Sequence, residues 1–283
     1  MVVEERRTLK ILMLGFVFCC VILLSGMTAH AQSVNEIEPN DTMETAQLIL
    51  ANSETAAQAV TGNRPNQYIV NGNLLKTDID WYKVYLTSGT QYVTCNGKGF
   101  DFEVYNSSNV LIKRQEYSYG SSFGSTAYPF TVTTAGYYYV KVNANSSTTT
   151  SSYTLLVGGP TYTVASCKVN MSSITMDRTD TVYPIDLNTV SGIPDGAVAY
   201  LVSLSSVGTN SVSDISVKNQ NSTINLTKYS WQKDGLASLN LPVKSRWDIT
   251  FKYYKNATFT PKFNIYYAYP MTSVYADDIT VSR

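Results

Sequence analysis

Asp78-Ile79-Asp80-Trp81-Tyr82-Lys83-Val84-Tyr85-Leu86 alternates in polarity and shape: an extended chain places Tyr82, Val84 and Leu86 on one face and Trp81, Lys83 and Tyr85 on the other. A period of two marks a half-buried β-strand. The pattern recurs outward from this stretch. Phe102 and Val104 alternate with Asp101 and Glu103, and Asn106-Ser107-Ser108-Asn109 makes a turn into Val110–Ile112. Thr134-Ala135-Gly136 turns into Tyr137–Val142, and Tyr153, Leu155 and Val157 close the first set. Beyond Gly158-Gly159-Pro160, alternation resumes at Val198, Tyr200, Val202 and Leu204, at Leu239, Leu241 and Val243, at Trp247–Tyr253 and at Phe263–Tyr269. Ile193-Pro194-Asp195-Gly196 and Gln232-Lys233-Asp234-Gly235 carry the Asp-Gly pairs that favour positive φ in turns. Aromatic and β-branched side chains fit pleated, half-buried surfaces, and the chain has 22 tyrosines. The reading is all-β: two tandem antiparallel β-sandwich domains, residues 32–158 and 160–283, abutting at a short break.

Residues 1–31 read as a signal peptide. Glu4–Lys10 is a net basic leader, Ile11–Leu24 is apolar, and Ala29-His30-Ala31 has the small-x-small pattern of a cleavage site. The apolar run is nearly long enough to span a bilayer, but that site and the polar Gln32-Ser33 favour cleavage. Export is the expectation, with no membrane span in the mature chain and a secreted or envelope-associated location. Cleavage removes the only histidine, His30. That excludes Ser-His-Asp and Cys-His nucleophiles and His-ligated zinc. The charges fall from 21 basic and 21 acidic to 18 and 19, because Arg6, Arg7, Lys10, Glu4 and Glu5 leave. A near-neutral chain without a basic block is a poor partner for nucleic acid. Cys95 and Cys167 remain, either as a disulfide, which export permits, or as two buried thiols.

The densest polar feature is Glu36-Ile37-Glu38-Pro39-Asn40-Asp41-Thr42. Side chains at i, i+2 and i+4 of an extended segment share a side, so Glu36, Glu38 and Asn40 converge and Asp41 can reach around the turn. Pro39 fixes its own φ and biases Glu38 to extended geometry. Hard oxygen donors suit calcium, which takes about 6–8 of them. Asp78 and Asp80, two apart at a strand start, are candidates to complete the set. Asn40 and Asp41 also suit a helix cap, with Asp41 and Glu44 at capping-box spacing for a helix over Thr42–Leu50. Tyr82, Tyr85, Tyr137, Tyr139 and Tyr153 are either an exposed aromatic platform for a polymer or ordinary strand residues.

Four of these motifs, in order, resemble the bacterial pre-peptidase C-terminal domain: Glu36-x-Glu38-Pro39-Asn40-Asp41-Thr42, Asp78-Ile79-Asp80-Trp81-Tyr82-Lys83-Val84, Ala135-Gly136-Tyr137-Tyr138-Tyr139-Val140-Lys141-Val142 and Tyr153-Thr154-Leu155. The likeness covers about residues 33–158 and is similar to the collagen-binding domains of clostridial collagenases; the second half resembles no family. The resemblance implies a jelly-roll-like sandwich appended to secreted enzymes, with calcium where the N-terminal segment meets the sheet, ligands drawn from Glu36, Glu38, Asn40, Asp41, Asp78 and Asp80, and tyrosines on one sheet face touching the ligand.

The functional expectation is therefore a secreted, non-catalytic calcium-binding protein for an extracellular protein fibre or a cell-wall or polysaccharide polymer, with a separate secreted peptidase as a further candidate partner. A carboxylate-dependent hydrolase, glycosidase-like, is the alternative, since such chemistry needs two carboxyl groups roughly 5–10 Å apart across a cleft. The second half has nine aspartates and no glutamate, and its adjacent Asp277-Asp278 read as charges on a strand edge. A purely structural surface protein is the third reading.

Overall fold

The structure, a computed structural model, describes residues 31–97, 99–117, 126–145, 150–208, 210–220, 222–271 and 278–282. The expected signal peptide, apart from Ala31, and Asp277 lie outside the described residues.

From residue 31 the chain forms β1 (Gln32–Asn35), β2 (Gln47–Ile49), helix α1 (Ala56–Thr61), β3 (Tyr68–Leu75), β4 (Ile79–Leu86), β5 (Gly89–Gly97), β6 (Phe100–Asn106), β7 (Leu111–Tyr117), β8 (Thr126–Val132), β9 (Gly136–Ala144) and β10 (Thr150–Gly158). Two five-stranded sheets result, ordered β1-β3-β10-β5-β8 and β2-β4-β9-β6-β7. The eight strands β3 to β10 follow the jelly-roll order. β1 and β2 are additions at one edge of each sheet, β1 parallel to β3 and β2 parallel to β4.

The second half forms β11 (Tyr162–Asn170), β12 (Ile174–Met176), β13 (Thr181–Asp186), β14 (Val198–Ser205), β15 (Val212–Asn219), β16 (Ser222–Asn225), β17 (Gln232–Lys233), the 3-10 turn η1 (Leu236–Leu239), β18 (Arg246–Tyr253), β19 (Ala257–Phe259), β20 (Lys262–Pro270) and β21 (Ile279–Ser282). Its sheets run β17-β14-β20-β11-β21 and β13-β18-β15-β16, with β12-β19 as a small pair. This order repeats the first half. β11, β20, β14 and β17 stand where β3, β10, β5 and β8 stand, and β13, β18, β15 and β16 where β4, β9, β6 and β7 stand. Even the added edge strand recurs, β21 lying parallel to β11 as β1 does to β3. The all-β sandwich expectation thus holds, with parallel pairing at these edges where antiparallel ladders were expected.

Each sandwich has its own core. Val84, Leu86, Phe100, Phe102, Val140 and Leu155 belong to the first, and Trp247, Phe251, Phe263, Ile265 and Tyr267 to the second, all fully or almost fully buried. Each such aliphatic or Phe side chain stabilises by roughly 1.5–3 kcal/mol on leaving water. Cys95 sits in the first core and Cys167 in the second, so no disulfide joins them, and of the two sequence alternatives the buried thiols are found.

The junction is built around Asn52. Its backbone N–H donates to Val157 O at 2.7 Å, its Nδ2 donates to Gly159 O at 2.7 Å, and Gly159 N–H donates back to Asn52 O at 2.6 Å. Gly158, at φ +131°, is needed here, because a Cβ would stand 2.6 Å from Asn52 O. Helix α1 packs on β11, β14, β20 and η1 of the second sandwich, and Ala127 N–H donates to Met271 O at 2.8 Å.

Two local expectations are corrected. Thr42–Leu50 is no helix: Thr42 and Thr45 bond each other's backbone and hydroxyls, which holds a turn, and Gln47–Ile49 joins β4 as a strand. The helix lies further on, opened by a capping box between Thr55 and Gln58 and closed by Gly62 at φ 72°. Leu239–Val243 is not a continuous strand either: it ends η1 and then meets β14 only through an isolated antiparallel bridge of Pro242 with Val198, in which Ala199 N–H donates to Leu241 O at 2.9 Å and Val243 N–H to Ala197 O at 3.0 Å. Asp278 also has a partner, accepting from Ser166 N–H at 2.9 Å and Ser166 Oγ at 2.8 Å beside the start of β21.

The separate cores predict two thiols in a 32–283 chain that react with a thiol reagent only after unfolding, and a melting temperature unchanged by reductant. A single reactive thiol, or none, in the unfolded protein would contradict this placement.

Candidate metal centre

The segment after β1 crosses from one sheet to the other. β1 is hydrogen-bonded to β3, β2 to β4, and Glu36–Ala46 runs between them. It is anchored at every step: Glu36 N–H donates to Asn71 O at 2.9 Å, Ile37 N–H to Gln47 Oε1 at 2.9 Å, and Trp81 N–H to Asn40 O at 2.8 Å. Glu36 Oε2 accepts from Asn73 N–H at 2.7 Å, and Glu38 Oε2 from Asn40 N–H at 2.9 Å.

Across from this strap stands the β3–β4 turn with Asp78 and, at the second residue of β4, Asp80. The alternation that sends Tyr82, Val84 and Leu86 inward sends Asp80 inward too, and it is fully buried. One carboxylate oxygen from each of Glu36, Glu38, Asp78 and Asp80 lies within 4.8 Å of the others. Asn40 is also fully buried. Glu36 Oε1, Asn40 Oδ1 and Asp80 Oδ1 are buried without a hydrogen-bond partner, and none of the ion pairs among the described residues involves the four acids. Asp41 is exposed and stands outside the group of four.

The other Asp80 oxygen, Oδ2, accepts from Tyr153 Oη at 2.5 Å, and Tyr153 Oη is 2.5 Å from Tyr82 Oη. Gly72 makes room for this relay: a Cβ there would lie 2.2 Å from Tyr153 Cζ. Burial first, then the neighbouring Glu36 carboxyl, push the Asp80 carboxyl up to about 9, against the lowering hydrogen bond from Tyr153. Glu38 is raised as well, by desolvation ahead of its acidic neighbours. Carboxylates this close repel one another, and a cation between them would relieve that repulsion. The donors are all oxygen, with buried oxygens left unpaired, and this set fits a hard divalent cation.

The tyrosine expectation divides by face. Tyr82 is fully buried and hydrogen-bonded in the core, so it is no part of an exposed platform; with Tyr85 three positions on, the two point to opposite sides of β4. Tyr153 is buried likewise. Tyr85 and Tyr137 are exposed and meet edge to face, ring centroids 5.4 Å apart. Lys83 Nζ lies 4.5 Å from the Tyr137 ring centre and 5.7 Å from that of half-buried Tyr139. Trp81 extends the strip, 5.4 Å from Tyr105, with Lys141 Nζ 6.0 Å from its ring centre. The sequence reading put Trp81, Lys83 and Tyr85 on one face but left Trp81 and Lys83 out of the aromatic platform, and it missed Tyr105 and Lys141 there and Tyr153 as the partner of Asp80. The i, i+2 spacing of Trp81, Lys83 and Tyr85 was the available signal; the Asp80–Tyr153 contact, 73 residues apart, had none.

No protein-family model and no curated protein sequence matches the chain. Among solved structures, a protein of Eubacterium rectale described as secreted is similar over 89% of this chain and 89% of its own, with a TM-score of 0.50 and 11% identity. That likeness is one of fold. The pre-peptidase C-terminal domain of Bacillus anthracis collagenase is similar over 43% of this chain and 99% of its own, at a TM-score of 0.29 and 14% identity. The PBSX exported protein XepA is similar over 70% and 84%, with a TM-score of 0.23 and 12% identity. Among the described residues no helix is long and apolar enough to cross a membrane.

Two outcomes are expected. A divalent cation at about 100 times its Kd raises stability by about 2.7 kcal/mol, and Asp80→Asn or Glu36→Gln removes most of that gain in thermal melts while an exposed change such as Asp214→Asn does not. Gly72→Ala, which forces a Cβ onto Tyr153, costs about 1–3 kcal/mol or more in urea unfolding, whereas Gly136→Ala, with open space around its Cβ, stays within about 0.5 kcal/mol.

Proposed function

We propose that this chain is an exported, non-catalytic β-sandwich protein in which calcium clamps the N-terminal strap across the first sandwich, and the Trp81–Tyr85–Tyr137 face engages an extracellular polymer. The observation that carries this reading is the meeting of Glu36, Glu38, Asp78 and Asp80 beside buried, unpartnered Asn40 Oδ1. Among divalent cations calcium suits this set best. It accepts many oxygens in irregular geometry, magnesium demands a near-octahedral shell, and zinc favours nitrogen and sulfur. Bound there, the cation would neutralise the carboxylates and tie the strap to the β3–β4 turn.

Export is supported by the basic, apolar and Ala-x-Ala sequence at the N-terminus and by the family resemblance. The non-catalytic reading is supported by the lack of histidine after residue 30 and by how the second-half aspartates are engaged. Asp180 pairs with Lys252 at 2.7 Å, Asp195 with Lys244 at 2.6 Å and Asp248 with Arg246 at 2.9 Å, each on the surface and apart from the others in sequence.

The polymer reading draws on exposed aromatics with cations among them. Aromatic residues and arginine dominate binding hot spots, and a lysine ammonium is attracted to the face of a ring. Retention on insoluble collagen, chitin, cellulose and peptidoglycan, with calcium or with EGTA, tests the proposal. Binding to at least one of the four, weakened tenfold or more by the double change Tyr85→Ala and Tyr137→Ala and reduced by EGTA, is the expected result. No retention on any of them would leave a purely structural role.

A further inference from the structure

A second concave site lies in the other sandwich, where several irregularities of the backbone converge. A cavity of about 250 Å³ is lined by Asn210, Ser213, Lys228, Tyr229, Trp231 and Tyr254. Three of these residues have left-handed backbones: Asn210 at φ 64°, Tyr229 at φ 72° and Trp231 at φ 45°. Asparagine adopts that region readily, but for bulky aromatic residues it is a true outlier, and side chains held this way concentrate at ligand sites. The lining strand is irregular as well: β15 slips register against β18 between Val212 and Ile215, and such bulges re-aim side chains.

The surrounding bonds hold this conformation in place. Trp231 N–H donates to Thr227 O at 2.8 Å, Leu204 N–H donates to Trp231 O at 2.8 Å, and Trp231 packs partly into the second core. Tyr254 N–H donates to Ser211 O at 3.2 Å, fixing the opposite wall. Nothing in the core requires the other rings where they are: Tyr229 is 81% and Tyr254 66% exposed. Strained backbone and a bulge thus turn three aromatic rings, two of them into water, around one cavity.

We propose that this cavity is a carbohydrate-binding site that takes one or two hexopyranose units of a glycan. A pyranose has an apolar C–H face and a hydroxylated rim. Flat aromatic rings match the face, and the Asn210 amide, the Ser213 hydroxyl and the Lys228 ammonium match the rim. The cavity is smaller than the roughly 300–1,000 Å³ of drug-sized pockets and has a single aliphatic lining residue, Val212, which does not suit a hydrophobic protein anchor. An aromatic cage for a quaternary ammonium group is disfavoured by charge: Lys228 Nζ lies 5.6 Å from the Tyr229 ring centre, and among the described residues no carboxylate lines the cavity. The site lies apart from the calcium-clamped face of the first sandwich and stands whether or not that face binds a polymer.

The test is titration of the 32–283 protein with cellohexaose, chitohexaose, xylohexaose, mannohexaose and oligogalacturonate, followed by calorimetry and tryptophan fluorescence. At least one of them binds and changes the emission; Tyr254→Ala, at an exposed position, and Tyr229→Ala each weaken it at least tenfold, and Trp231→Phe removes the fluorescence change. The Tyr85→Ala/Tyr137→Ala protein binds the same sugar unchanged, which separates this site from the polymer face. Failure of all five oligosaccharides, binding that survives Tyr254→Ala, or saturation by choline in their place overturns the proposal.

Discussion

The first sandwich turns on one buried carboxylate. Asp80 sits on the inward face of β4, where alternation would otherwise place an apolar residue, and it is fully buried. A carboxylate in that position costs several kcal/mol unless it is protonated or paired. Tyr153 satisfies one of its oxygens, and the other faces the strap. That single placement accounts for the glycine at position 72, which leaves room for Tyr153 beside Asp80, and for the acids of the strap that crosses above it. Remove the acid and the strap would cover a conventional hydrophobic seam.

The strap does mechanical work as well as electrostatic work. It carries the chain from the β3 edge of one sheet to the β4 edge of the other, and its two end strands pair in parallel with those edges. An exposed sheet edge is an unpaired row of donors and acceptors that invites other chains. Short strands as the new edges blunt that liability, and a cation at the crossing would lock them in place. The second sandwich handles the equivalent edge with β21, from the C-terminal end of the chain. It has no counterpart of the acidic cluster among the described residues.

The repeated strand order of the two halves went unread in the sequence, where the Glu-x-Glu-Pro-Asn-Asp signature does not recur and no other repeat stands out. Jelly-roll order is a property of which strands lie side by side, and a shared topology needs only the same alternation of inward and outward positions, not the same residues. The halves are also tied more firmly than a Gly-Gly-Pro break implies. Asn52 and helix α1 come from the first half yet spend their polar groups and packing surface on the junction and on the second sandwich.

Strand identity and the four acids that come together were legible from one dimension, because period-two alternation and the i, i+2 spacings of Glu36 with Glu38 and of Asp78 with Asp80 are local patterns. The failures were local too: Asp41 with Glu44 looks like a helix cap, but Thr42 and Thr45 bond each other first, and Leu239–Val243 looks like a strand, but it begins in η1 and pairs only at the Pro242–Val198 bridge. What only the tertiary structure decided was which face meets which neighbour over long separations. Tyr82 and Tyr85 are three residues apart, and one is core while the other is surface. Asp80 and Tyr153 are 73 apart and share a proton-bearing contact. Cys95 and Cys167 are in different cores, which no spacing rule could reveal. Burial depends on the whole packed sheet, so a side chain's partner across it is set by register and topology, and neither is written in neighbouring residues.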